Sequence, residues 1–223
     1  MSHIAQTIEL LREEMPRDVN LVAVSKFQPL SAIEEAYGAG QRIFGESRVQ
    51  ELLEKIPRLP ADIKWHFIGH LQTNKVRQII GKTALIESVD SERVLELIDK
   101  ESLKAGVVTN VLMQLHVARE ETKFGFFPSE LLEYFNNRKF ESLRATHICG
   151  VMGMASNTDD LDRVRRDFAQ IHAVFKEIKD NESLHLRNFD IVSMGMSGDW
   201  KIAVEEGSNM VRIGSSIFGA RNY

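Results

Sequence analysis

The chain has 223 residues, of which 43% are hydrophobic and 27% charged, an ordinary globular composition that excludes a disordered or fibrous protein. Twenty-eight basic side chains against thirty-two acidic ones leave a formal charge of −4, which gives no general pull toward nucleic acid or an anionic membrane. The single cysteine, Cys149, excludes an internal disulfide or a cysteine zinc cage. No run approaches the roughly 18 apolar residues of a membrane helix, and the N-terminus lacks a secretory pattern. A cytoplasmic protein is expected, with partners that are neither nucleic acid nor membrane.

In chain order, short β-branched or aromatic runs alternate with longer amphipathic ones. A leading helix over residues 4–15 ends at Pro16. Strands are predicted over residues 21–25, 42–45, 64–68, 85–89, 110–117, 145–152, 189–194 and 210–213. Helices are predicted over residues 31–37, closed by Gly38 and Gly40, and over 48–55, stopped by Pro57. Others span 91–105 with Ser91 as N-cap, 128–137 with Pro128 in the first turn, and 159–179. Eight strand–helix units at about 28 residues each predict an α/β fold, a single (β/α)8 TIM barrel with an extra N-terminal helix. A doubly wound open sheet is the competitor, since it alternates in the same way. With no Gly/Ser- or Pro-rich linker, residues 1–223 are read as one domain.

In such a barrel, chemistry sits at the C-terminal strand ends, and phosphate binds in the loops after strands seven and eight. The first strand ends in Ser25-Lys26-Phe27. The seventh runs into Ser193-Met194-Gly195-Met196-Ser197-Gly198-Asp199, and the eighth into Arg212-Ile213-Gly214-Ser215-Ser216. Glycines that let the backbone approach, unpaired N–H groups opening a helix, and serine hydroxyls suit an anion; tight turns alone would explain either segment separately. Asp199 is read as a cap. Lys26 would deliver an amine into the barrel mouth, able to form a Schiff base with a carbonyl, although a strand-end lysine also snorkels for packing reasons. A ligand with an aldehyde at one end and a phosphate at the other satisfies both sites, and pyridoxal 5′-phosphate is such a molecule.

These residues also carry a resemblance. Ala23-Val24-Ser25-Lys26, Phe44-Gly45-Glu46, the run Trp65 to Lys75, Ser193 to Ser197 and Val211 to Gly219 resemble the pyridoxal phosphate homeostasis proteins, single-barrel relatives of the alanine racemase N-terminal domain. The resemblance spans Leu21 to Tyr223. It implies that Lys26 carries pyridoxal phosphate as a Schiff base, that Met196, Ser197, Gly214 and Ser215 hold the phosphate, and that Arg212 faces the pyridine nitrogen. Where the family has Gly-Glu-Asn-Tyr, this chain has Gly45-Glu46-Ser47-Arg48.

An always-charged guanidinium donates only, so opposite the ring nitrogen it keeps that nitrogen unprotonated and weakens the electron sink. In the racemases, as the resemblance implies, a tyrosine from a second domain supplies an acid/base group. Here the chain ends at Tyr223, soon after the eighth strand. The expectation is a monomeric cofactor holder, not an enzyme, that stores, shields or delivers pyridoxal phosphate, with pyridoxal-phosphate-dependent apoenzymes as recipients. A pyridoxal-phosphate-dependent amino-acid racemase or lyase is the alternative, and an aldolase-like sugar-phosphate lyase a further one.

Other signals fail. Gly81-Lys82-Thr83 lacks the earlier P-loop glycine, whose place is Val76. His66 and His70 have no third ligand at metal spacing, and are read as buried or rim histidines. Arg163, Arg165 and Arg166 lie among Asp159, Asp160, Asp162 and Asp167, which predicts a solvated helix face.

Overall fold

The computed structural model describes residues 2–118 and 124–219. Its core is a closed barrel of eight parallel strands in sequential order. The order along the chain is α1 (His3–Glu14), β1 (Asn20–Val24), α2 (Leu30–Gly38), β2 (Ile43–Glu46), α3 (Val49–Lys55), β3 (Lys64–Phe67), α4 (Val76–Ile79), β4 (Leu85–Val89) and α5 (Glu92–Ala105). Then come β5 (Thr109–Leu115), α6 (Pro128–Asn136), β6 (Thr146–Gly153), α7 (Leu161–Lys179), β7 (Ile191–Ser193), α8 (Trp200–Glu205), β8 (Met210–Ile213) and α9 (Ser215–Phe218). Closure is decided by β1 and β8, which pair through Asn20 with Met210, Leu21 with Val211, Val22 with Arg212 and Ala23 with Ile213. The open-sheet alternative is thereby removed. Tyr223, where the predicted single domain ends, lies outside the described residues, as do residues 119–123.

Local chemistry explains the long helices. α5 buries Val94, Leu95, Ile98 and Ser102 on one stripe and ends at Gly106, whose φ of 66° lets its N–H close on Leu103 and Ser102. Ser91 stands at the N-cap position, but its hydroxyl donates to Asp90 Oδ1 instead of capping the helix. α7 begins where Asp160 accepts from the N–H of Arg163. The charged residues expected to form a solvated face are ion-paired, and one of them is not solvated. Arg163 meets Asp167 at 2.8 Å, and Asp167 is buried and also accepts from the N–H of Ser156, whereas Arg165 meets Glu205 and Glu206 at the surface. Between β3 and β4 the chain makes only a 3-10 turn and the one-turn α4, too short for a periodic signal to register.

The barrel interior is layered. Its lower layer is apolar, built from Val22, Leu85, Leu112, Cys149, Met152 and Met210 with Ile43 and Ile191 against them. Two residues further along the same strands, the inward positions turn polar: Leu85 gives way to Glu87, Ile191 to Ser193 and Met210 to Arg212. All three of these polar residues are buried. Strand parity requires that these side chains share the interior with the apolar layer beneath. A barrel of this size is normally filled with branched apolar side chains, so the change of character marks the C-terminal half of the interior as the place of chemistry.

Candidate functional site

Lys26 lies two residues past the end of β1, half-buried, and the chain turns sharply after it. Phe27 takes φ 66°, a left-handed conformation unusual for an aromatic residue. That turn is tied from behind. The N–H of Phe27 donates to Glu51 Oε1 at 2.6 Å, and Arg48 lies over the Phe27 ring at 4.7 Å. Arg48, the departure from the family pattern, therefore clamps the turn that presents Lys26.

A buried polar knot supports the same corner. Lys55 Nζ donates to the Ser25 carbonyl at 2.8 Å, to Glu46 Oε1 at 2.8 Å and to Glu51 Oε1 at 2.6 Å, while Ser25 Oγ donates to Glu46 Oε1 at 2.6 Å. Burial pushes the Glu46 carboxyl up from its ordinary range, against the pull of Lys55. Its Oε2 has no hydrogen-bond partner.

Across the rim stand the turns after β7 and β8. Gly195 adopts φ 97°, and a Cβ there would lie 2.6 Å from Ala203 Cβ, so the tight turn requires glycine. Ser197 Oγ lies 3.4 Å from the backbone nitrogens of both Gly214 and Ser216. These contacts are longer than well-formed N–H···O bonds, so two clustered donors are only weakly satisfied. Gly214 packs directly on Val24, where a Cβ would stand 3.2 Å from Val24 Cβ; this places the β8 turn beside the strand that ends at Lys26. Met196 is exposed, and its N–H donates to Asp199 Oδ1 at 2.5 Å; Asp199 stands at the N-cap position of α8, but its carboxylate makes no cap hydrogen bond to that helix and closes the preceding turn instead. Ser215 is exposed in the first turn of α9.

Beneath the mouth lies Arg212, only 4% exposed. Its Nη1 donates to the Ser193 carbonyl at 2.8 Å and to Ser193 Oγ at 2.6 Å, and its Nη2 to the Gly153 carbonyl at 2.9 Å. Ser193 Oγ in turn donates to Glu87 Oε2 at 2.6 Å, and His66 Nδ1 meets Glu87 Oε1 at 2.7 Å. Burial alone would push the Glu87 carboxyl up, but the hydrogen bond from His66 and the charges of His66 and Arg212 outweigh it and hold the group below its ordinary range. Burial lowers the Arg212 pKa, opposed by Glu87 and Asp199.

The structure thus brings Lys26, Ser197, Gly214, Ser215 and Arg212 to one end of the barrel, with Met196 on the same loop as Ser197. Sequence reasoning missed Glu87, Ser193 and Lys55. A glutamate at an inward position of the otherwise apolar run Leu85-Ile86-Glu87 was the available signal. His66, read as a buried or rim histidine, is a buried partner of Glu87. Among the described residues no group of three or more His, Cys, Asp or Glu could hold a metal ion.

A parallel barrel with a lysine past its first strand, a buried arginine in its eighth and glycine–serine turns after its last two strands defines a barrel of the alanine racemase N-terminal class. The family model described as alanine racemase, N-terminal domain, matches residues 1–222. The chain belongs to the pyridoxal phosphate homeostasis protein family. It is 36% identical over 227 residues to the pyridoxal phosphate homeostasis protein of Aquifex aeolicus, covering all of this chain and 97% of the relative. It is 35% identical over 229 residues to that of Schizosaccharomyces pombe, covering 99% and 94%. Among solved structures, PipY of Synechococcus elongatus without PLP superposes with a TM-score of 0.91 at 35% identity, covering 97% of this chain and all of PipY; the form with PLP bound gives 0.87.

Proposed function

We propose that this chain binds pyridoxal 5′-phosphate and serves its homeostasis by storing, shielding or delivering it to apoenzymes, as a holder and not as a catalyst. The observation that supports the reading is the placement, at the C-terminal end of one barrel, of Lys26 just past β1, the weakly satisfied donors of Gly214 and Ser216, and the buried Arg212 guanidinium. The donor set fits the group. Backbone N–H groups and the Ser197 and Ser215 hydroxyls are phosphate donors, and N–H groups held by 3.4 Å contacts are released at little cost to a better acceptor. The names of the relatives and the PLP-bound form of PipY support the same assignment.

When bound, the group supplies an aldehyde that condenses reversibly with an amine, and an electron-withdrawing ring. Lys26 is the amine for that bond, and its turn is fixed by Glu51, Arg48 and Lys55. Ser197, Gly214 and Ser215 hold the phosphate with the Met196 turn beside them. Arg212 would face the ring nitrogen and, as a pure donor, would supply it no proton, so the residues present favour retention over carbanion chemistry.

Purified protein mixed with pyridoxal phosphate should absorb at about 420 nm, and borohydride should fix the adduct on Lys26. A Lys26→Ala protein that kept the same chromophore would sink the assignment. Sustained α-proton exchange of amino acids in deuterated water, lost in that variant, would overturn the holder reading in favour of an enzyme.

A further inference from the structure

We propose that Glu87 is a positioning residue: acting through Ser193 and backed by His66, it fixes the Arg212 guanidinium at the floor of the barrel mouth. This deepens the cofactor reading and rests on it.

The hydrogen bonds have a direction. Ser193 has one hydroxyl proton, and it goes to Glu87 Oε2 at 2.6 Å. The lone pairs of Ser193 Oγ are then the ones that receive Arg212 Nη1, also at 2.6 Å. His66 Nδ1 closes the other carboxylate oxygen at 2.7 Å. The chain Arg212 to Ser193 to Glu87, held by His66, crosses the interior from β8 through β7 and β4 to β3, so four strands agree on one guanidinium position.

Charge points the same way. Arg212 and Glu87 are both buried, and Glu87 Oε2 is 3.7 Å from Arg212 Nη1. Lys55 is spent on Glu46 and Glu51 behind the strand-one corner, and Asp199 acts on Arg212 from the loop after β7. The carboxylate closest to the guanidinium is therefore Glu87. Without it a desolvated cation would have carbonyls and a hydroxyl but no counter-charge inside the barrel, and its least costly course is to move toward solvent at the mouth. Nη1 and one Nη2 hydrogen are committed to Ser193 and Gly153. The donor directions left over are thus fixed by protein atoms before any ligand arrives, which is what preorganisation of a ring-nitrogen contact needs.

The test uses the full chain with Glu87→Gln, which keeps the shape, removes the charge and turns one of the two accepting oxygens into a donor, and with Ser193→Ala, which keeps both charges and breaks the relay. In the unloaded protein, nitrogen–proton NMR of the arginine side chains should show separate, slowly exchanging Arg212 Nη signals, assigned by their loss in Arg212→Lys. Both variants should collapse them. Loaded with pyridoxal phosphate, the wild-type band should hold its position on acidification, because the guanidinium denies the ring nitrogen a proton. Glu87→Gln should bind about tenfold more weakly or worse, a loss of one charge-assisted hydrogen-bond system, and its band should become pH-dependent. Glu87→Asp should restore part of both. A Glu87→Gln protein with intact Arg212 signals, an invariant band and affinity within about twofold, changed only in thermal stability, would make Glu87 a mere counter-ion and overturn the proposal. If that variant does not fold, the same unchanged readouts in Ser193→Ala overturn it. A wild-type protein that never acquires the band sinks the cofactor reading and this proposal with it. That failure is separately recognisable, because the collapse of the Arg212 signals does not depend on loading.

Discussion

Lys55 places its Nζ 2.8 Å from the backbone carbonyl of Ser25, the residue immediately before Lys26. A lysine thirty positions along the chain thus fixes the corner that leads into Lys26. The contact lies behind the barrel wall, where Lys55 also neutralises the buried Glu46 at 2.8 Å.

Lys55→Met should therefore cost about 3–5 kcal/mol in urea unfolding, because it strands a buried carboxylate that already has one unpartnered oxygen. Adding Glu46→Gln should recover much of the loss. The double-mutant cycle checks this; additive costs would show that the two groups do not couple.

The two buried carboxylates should leave opposite marks on stability against pH. Glu87 is held below its unfolded value, so its contribution is present above the ordinary carboxylate range and fades as pH falls through the folded value. Glu46 is raised, so its contribution is present below that range and is lost as pH rises through the folded value. Urea midpoints across the acid range should lose one slope in Glu87→Gln and the other in Glu46→Gln.

Gly195→Ala should destabilise the protein by about 1–3 kcal/mol, since alanine would have to hold φ 97° with its Cβ 2.6 Å from that of Ala203. Thermal unfolding measures the cost. Because the same turn carries Met196 and Ser197, affinity for pyridoxal phosphate should fall as well.

Ser197→Ala removes a half-buried hydroxyl and should leave folding nearly intact. Affinity for pyridoxal phosphate should weaken by roughly threefold to tenfold, the worth of one hydrogen bond, while affinity for pyridoxal, which lacks the phosphate, should not move. Equal losses for both ligands would place Ser197 away from the phosphate. Parallel titrations decide it.

The alternation of strands and helices, Lys26 after the first strand and the glycine–serine turns after the last two were legible in the sequence, because each is a local pattern of period or turn chemistry. Even there, short features escaped. α4 is a single turn, and Ser91 spends its hydroxyl on Asp90 instead of the helix N-terminus, a choice set by a neighbouring side chain. What the sequence determined by itself was the set of elements and the residue types at their ends.

The tertiary structure decided closure and the polar interior. Whether β8 returns to β1 depends on the summed twist and stagger of all eight strands, which no single segment encodes. The partners of Arg212 were invisible for a similar reason. Ser193 and Glu87 are 106 residues apart, and Glu87 and His66 are 21. In one dimension a glutamate in an apolar strand reads as a solitary charge. Only closing the barrel puts it beside the guanidinium and the imidazole that make its burial tolerable, because a hydrogen bond is decided by distances of a few ångströms and the chain alone sets no such distance between separate strands.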